Sequence, residues 1–217
     1  MKYPHTPILP WSPNHLYDTD DEFHQDVKCF ENKNLIYTEK LDGECTVCTK
    51  TIIHARSEDG YGKPWQHYMK RFYSNFCYNI PEGMQICGEC VYAVHSIEYS
   101  KLPSCFFVFA IIVDGTSLSW KEVEEWSLML GLDTVPLIND APNKIVDIPI
   151  PKQSTFGDIC EGYVIRNSDS FSMTEISLNI GKSVRKDHVK TDIHWTNTWR
   201  PTKFIEEPIE RLLRKRL

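Results

Sequence analysis

The sequence predicts an α+β fold built mainly from antiparallel sheet, and three observations carry that prediction. Short runs of strand character recur along the chain, among them Leu35–Lys40, Met84–Ala93, the apolar CFFVFAIIV from Cys105 to Val113, and Glu161–Arg166. Only three segments have helical period: one from Pro64, one after Ser119, and a short one at the C-terminus. Strands and helices do not alternate regularly, as a doubly wound parallel sheet would require.

Size and composition are consistent with one domain spanning 1–217. A hydrophobic content of 41% and an aromatic content of 12% supply a substantial core. The net charge of −6 excludes a surface that binds nucleic acid as a whole, so any such contact uses a local basic patch. No apolar run approaches the roughly 20 residues needed to cross a bilayer. The opening MKYPHTPILPWSP lacks the apolar centre of a signal peptide. The eight cysteines sit mostly in apolar, strand-like runs, which suits free thiols in a reducing, cytoplasmic setting.

Taken in order, residues 1–26 read as an extended arm rich in proline and acid, anchored by Ile8, Leu9 and Trp11. Within it, Asp20 and Asp21 suit solvated or capping roles. Leu35–Lys40 is a predicted strand. Asp42-Gly43 is a predicted tight turn joining it to a second strand over Cys45–His54, since Asp-Gly between two such runs is a hairpin signal. ARSEDGYG then makes a loop carrying Arg56. Trp65, Tyr68, Met69, Phe72, Tyr73, Phe76 and Cys77 fall on one helical face, and Pro64 suits the first turn. This aromatic stripe reads as core.

A strand from Met84 contains ICGEC, and Cys105–Val113 reads as a strand buried on both faces. Ser119 and Glu122 form a capping box for a helix through Leu130, ended by Gly131. A short strand at Asp133–Leu137 leads into a proline-rich connection. EGYVIR, from Glu161, is a further strand. The apolar parity of Phe171–Ile180 slips between Met173 and Ile176, which predicts a bulge or break. GKSVRKDHVK (181–190) is basic, and 204–217 ends in a short helix with Arg211, Arg214, Lys215 and Arg216 as a candidate RNA contact.

The chemistry gathers around EKLDGE. A lysine is a nucleophile only as the free amine, which burial or nearby positive charge favours. Lys40 stands beside a turn where Gly43 lets the backbone approach a ligand closely. Glu89 and Glu161 are carboxylates in apolar strand contexts, where an unpartnered charge costs several kcal/mol, roughly. Carboxylates in such places can hold a ribose hydroxyl or a hydrated divalent cation, and the cations Lys182, Arg185, Lys186 and Lys190 can hold a triphosphate.

The ordered set KLDGE, CGE, FFVFAI, EGYVIR and KSVRK resembles the motif series of the covalent nucleotidyltransferases, the polynucleotide ligases and mRNA capping enzymes. Within them the details look most like the ATP-dependent RNA ligases of the nick-sealing kind, and YPHTPILPWSP and VRKDHVKTDIHW resemble segments of phage and bacterial proteins of that family. The resemblance implies a single nucleotidyltransferase domain of antiparallel sheets flanked by helices. It implies ATP and Mg2+ or Mn2+ as cofactors, and RNA as partner. Lys40 would carry AMP as a phosphoramidate, pass it to an RNA 5′-phosphate, and a 3′-hydroxyl would displace it, in RNA repair.

On the same basis Glu39 would lie by the adenine, and Asp42 and Gly43 would shape the turn. Arg56 would stand near the ribose, and Glu89 would hold it. Phe109 would stack on the base, with Phe107 as the alternative. Glu161, with Asp42, would organise the metal, and Lys182 and Arg185 would contact the phosphates. The family pattern sets two lysines two positions apart. The order Lys182, Arg185, Lys186 departs from it, which leaves the phosphate ligands open among the three.

Many ligases add an OB-fold domain. The stretch beyond Lys190 is too short for one, so the expected chain is an adenylation domain alone, with an accessory protein or the RNA's own structure completing the grip. A small DNA ligase and a capping guanylyltransferase are the alternatives within the superfamily. Outside it stands a zinc-ribbon module, suggested by Cys45-x-x-Cys48 and Cys87-x-x-Cys90. In a strand, residues three apart point to opposite faces, which weighs against that reading.

Overall fold

Strand β1 (Leu35–Lys40) pairs with β8 (Gly162–Asn167), far along the chain, and not with the strand next to it in sequence. In this computed structural model, which describes residues 2–13, 22–56, 62–138, 143–186, 196 and 199–216, β10 (Ile180–Val184) joins the other edge of β8. The result is a three-stranded antiparallel sheet in the order β1-β8-β10.

A seven-stranded sheet faces it. It contains β2 (Glu44–Cys48), β3 (Ile53–Ala55), β4 (Met84–Cys90), β5 (Phe106–Val113), β6 (Thr116–Ser117), β7 (Asp133–Thr134) and β9 (Phe171–Ser172). Six run in the order β3-β2-β4-β5-β6-β9, and β7 pairs with β5 in parallel. The α+β class expected from the sequence is the one observed.

Helices α1 (His67–Tyr73), α2 (Trp120–Leu130) and α3 (Pro208–Lys215) cover one face of the larger sheet. Met69, Phe72, Val123, Leu130 and Leu212 pack there with Ile86, Val108 and Ile111. The opposite face presents Val47, Cys87, Ala110 and Ile112 to Tyr3, Phe171, Met173, Ile176 and Ile180. A third cluster, with Leu9, Phe30, Tyr37, Tyr163 and Ile165, covers the outside of the three-stranded sheet.

The expected arm anchors hold. Ile8 and Leu9 are buried, and the Trp11 indole donates to the Tyr163 hydroxyl at 2.8 Å. The arm runs beside β10, with Leu9 N–H donating to the Lys182 carbonyl and Lys182 N–H to that of Pro7. Asp20, Asp21 and Lys190 lie outside the described residues.

Several local expectations are corrected. Asp42-Gly43 is not a hairpin turn but a crossover between the two sheets, because β1 and β2 belong to different ones. Gly43 is required there by space: a Cβ would stand 2.5 Å from the Cys90 carbonyl oxygen. The strand expected over Cys45–His54 folds back on itself. The Thr49 hydroxyl accepts from the N–H groups of Thr51 and Ile52, closing a turn that pairs β2 with β3. The first helix ends at Tyr73, short of Cys77, and gives way to a 3-10 turn over Cys77–Asn79.

Other expectations are met in detail. The Ser119–Glu122 capping box forms, and Gly131 ends α2 at φ 74°. The parity slip after Phe171 is a break, filled by a 3-10 stretch over Met173–Leu178.

Candidate active site

Register delivers the nucleophile candidate. Lys40 is the last residue of β1 and lies opposite Gly162. Gly162 leaves room for the neighbouring strand, since a Cβ would stand 2.1 Å from the Ser183 carbonyl oxygen. One residue before it, Glu161 is 4% exposed, and both its carboxylate oxygens accept from Lys40 Nζ at 2.8 Å. The cleft beside Lys40 is walled by both sheets: Lys40, Val164, Arg166 and Lys182 from the smaller, Cys45, Glu89 and Phe109 from the larger, with Arg56 and Gly43 at the connections, and Glu161 lies behind the lysine. Tyr3, Pro4 and Thr6 of the arm close another side.

One acid holds the amine and two others act on it by charge. Burial pushes the Glu161 carboxyl up to about 7, Lys40 opposing and Asp42 adding to the rise. Burial likewise pushes Glu89 up to about 8; Lys40 pulls it down, while Glu161 and Asp42 push it up. For Lys40, burial favours the free amine, but the charge of Glu161, then that of Glu89, outweighs it, and the net direction is upward. Of the two expected routes to the free amine, burial is outweighed here, which leaves nearby positive charge. In the ligand-free molecule Lys40 is an ammonium held by Glu161, and its activation needs competing positive charge or transfer of its proton.

The other expected residues separate into those that face the cleft and those with additional structural work. Glu39 lines the cleft, but its carboxylate accepts from the Ser154 hydroxyl and from Thr155 N–H at 2.9 Å, so it also tethers the 154–155 loop. Asp42 Oδ2 accepts from Ser96 N–H and Ile97 N–H, each at 2.7 Å, while Asp42 N–H donates to the Tyr99 hydroxyl. The carboxylate of Asp42 thus pins the crossover. Phe109 lines the cleft with Tyr3 edge-on at 4.9 Å, whereas Phe107 is buried against Phe156 at 4.8 Å and is not part of the wall. Lys182 is a wall residue. Arg185 is not, and its backbone N–H donates to the Glu161 carbonyl.

The donor set suits a divalent ion that keeps most of its ligands from solvent and phosphate. Among the described residues no three His, Cys, Asp or Glu side chains converge on one point. Glu161 and Glu89 offer carboxylates whose buried charge is incompletely offset, which matches the way Mg2+ and Mn2+ bind through one or two carboxylates and substrate phosphates.

The zinc reading fails on geometry. Cys45 and Cys87 pack in one cluster and Cys48 and Cys90 in the other, on opposite faces of the sheet. The C-terminal cations are also committed: Arg211 and Lys215 pair with Asp133, Arg214 pairs with Glu206, and Arg216 donates to the Asn75 carbonyl. This weakens their use as an RNA patch.

Arg166 is the residue that sequence reasoning missed. It was legible as the last letter of EGYVIR, but a strand arginine is ordinarily solvated, and nothing local indicates that this one is 2% exposed.

A family model described as RNA ligase matches residues 33–184, and the chain belongs to the RNA ligase family. A comparison with curated proteins finds no match. Among solved structures, a lysine-to-alanine mutant of the Naegleria gruberi RNA ligase, determined with ATP and Mn, is similar at a TM-score of 0.50 and 14% identity. The similarity covers 73% of this chain and 52% of that one, so this chain corresponds to about half of that protein's length, and the likeness is one of fold.

Proposed function

We propose that this protein is an ATP-dependent RNA ligase that joins 5′-phosphate and 3′-hydroxyl ends through a lysyl-AMP intermediate on Lys40. The observation that carries the reading is the Lys40–Glu161 pair, 2.8 Å apart, whose lysine lines a cleft together with a half-buried phenylalanine and a strand lysine. Lys40 Nζ attacks the α-phosphorus of ATP, a P–N bond forms, and the bond to the pyrophosphate oxygen breaks. The ammonium proton passes to solvent as the pair with Glu161 opens, which a divalent cation on that carboxylate would favour by its charge. AMP then passes to the RNA 5′-phosphate, and the 3′-hydroxyl displaces it.

In this reading Phe109 stacks on adenine, with Glu39 beside it, and Glu89 accepts from the ribose with Arg56 nearby. Gly43 admits the nucleotide close to the backbone. Lys182 contacts the phosphates, with Arg185 next along the strand. Mg2+ or Mn2+ would be held by Glu161, aided by Asp42, and would supply charge neutralisation at the phosphates. Residues 1–217 act as one adenylyltransferase domain in RNA repair. Among the described residues no helix is long and apolar enough to cross a membrane.

The test is direct. The protein is incubated with α-labelled ATP or GTP and Mg2+ or Mn2+, and acid-resistant label is measured, and then sealing of nicked RNA and DNA. ATP-dependent label lost in Lys40→Ala, with RNA sealing, is expected. No label from ATP, or undiminished label in the variant, overturns the mechanism. GTP-only label identifies a capping-type enzyme, and sealing of DNA alone a DNA ligase.

A further inference from the structure

Arg166 reaches the cleft wall, yet its hydrogen bonds all go to backbone carbonyls of the fold. It lies on β8 at 2% exposure, and taking a guanidinium out of water costs several kcal/mol, roughly. Among the described residues no carboxylate pairs with it. Burial accordingly lowers its pKa to about 10. Its compensation is all backbone and aromatic. Nε donates to the Asn167 carbonyl at 3.1 Å, one terminal nitrogen to the Phe109 carbonyl at 3.1 Å, and the other to that of Leu118 at 2.9 Å. The Trp120 and Phe171 rings flank the guanidinium at 5.7 and 5.5 Å.

The Phe109 carbonyl is a particular one. Cys87 pairs with Ala110 and the next residue, Gly88, pairs with Val108, so Phe109 is the extra residue of a β-bulge. A bulge leaves its extra residue outside the ladder and re-aims its side chain. Gly88 permits this, since a Cβ there would stand 2.6 Å from the Phe107 carbonyl oxygen and 2.5 Å from the Phe106 ring. The group the bulge strands in a buried place is satisfied from the other sheet, the one that carries Lys40 and Glu161.

We propose that Arg166 is a positioning residue of the nucleotide cleft: by holding the bulged Phe109 carbonyl from β8, it sets where the base-stacking ring stands relative to Lys40. The inference rests on the ligase reading above. Its consequence is a division of labour. Arg166 governs the base end of the nucleotide, and the pyrophosphate end depends on other residues of the β8–β10 sheet.

The experiment compares wild type with Arg166→Lys and Arg166→Met in both directions of the adenylation step: ATP plus enzyme, and pyrophosphate plus the adenylated enzyme. A tenfold or greater rise in KM for ATP is expected, with KM for pyrophosphate within twofold of wild type. Phe109→Leu should raise KM for ATP as well, and Arg166→Lys added to it should raise it little further, because both act through one ring. A purely structural role would lower the active fraction and leave both KM values alone. Should the Arg166 variants not fold, Phe171→Leu removes one flanking ring while leaving the hydrogen bonds, and a threefold rise in KM for ATP alone is expected. Unchanged KM for ATP in the folded variants, or equal rises for ATP and pyrophosphate, overturns the inference. A wild-type protein that takes no label overturns the ligase reading instead.

Discussion

Replacing Glu89 by glutamine should flatten the stability of this protein between pH 6 and 9. Glu89 is half-buried on β4, beside Glu161 and Asp42, and burial is the first cause that pushes its carboxyl up to about 8. In the unfolded chain the same group titrates near 4.5. Its folded pKa is raised, so the contribution is fully present below the unfolded value and is lost as pH rises through the folded one. Between pH 6 and 9 the native state must surrender a proton that the unfolded state has already released. With these two pKa values the loss is about 2–3 kcal/mol over that interval. Glutamine resembles the neutral acid in shape and cannot ionise.

Urea unfolding at pH 6 and pH 9, with and without Mg2+, reads this directly. Wild type should lose more stability than Glu89→Gln across the interval by about 2–3 kcal/mol. Glu161, raised to about 7, contributes a slope of the same sign, and because its charge is one of the causes that raise Glu89, part of that slope goes with Glu89 in the variant. Identical pH slopes for the two proteins would refute the claim that burial on β4 raises the Glu89 carboxyl.

The same geometry fixes other outcomes. Gly88→Ala should destabilise by about 2 kcal/mol or more, read by urea unfolding, because its Cβ meets the Phe106 ring and the Phe107 carbonyl within 2.6 Å. Asp42→Ala leaves the Ile97 N–H without its acceptor, while the exposed Ser96 N–H can turn to water, and should lose about 1–3 kcal/mol of stability in the same assay, whereas Asp42→Asn, which keeps an oxygen, should lose less. Phe109→Ala should weaken ATP binding with a modest change in melting temperature. Phe107→Ala should do the reverse, since Phe107 is buried against Phe156 and its removal opens a core cavity costing about 3–5 kcal/mol.

What the sequence determined by itself was the local grammar. Periodicity and caps placed α2 between Ser119 and Gly131, β5 in the apolar run to Val113, and a break after Phe171, because these depend on contacts within a few residues. The ordered motifs also picked out Lys40, Glu89, Phe109, Glu161 and Lys182, all of which face or adjoin one cleft. The tertiary structure decided the rest. Asp42-Gly43 reads locally as a hairpin, but β1 finds its partner at Gly162–Asn167, and strand pairing is chosen by non-local hydrogen bonds that no window of sequence contains. The charge balance at Lys40 was not legible from its own stretch, since the acids that act on it come from β4 and from the residue before β8. Arg166 was invisible for the same reason: its worth lies in a carbonyl left over by a bulge on another sheet, 57 residues earlier in the chain.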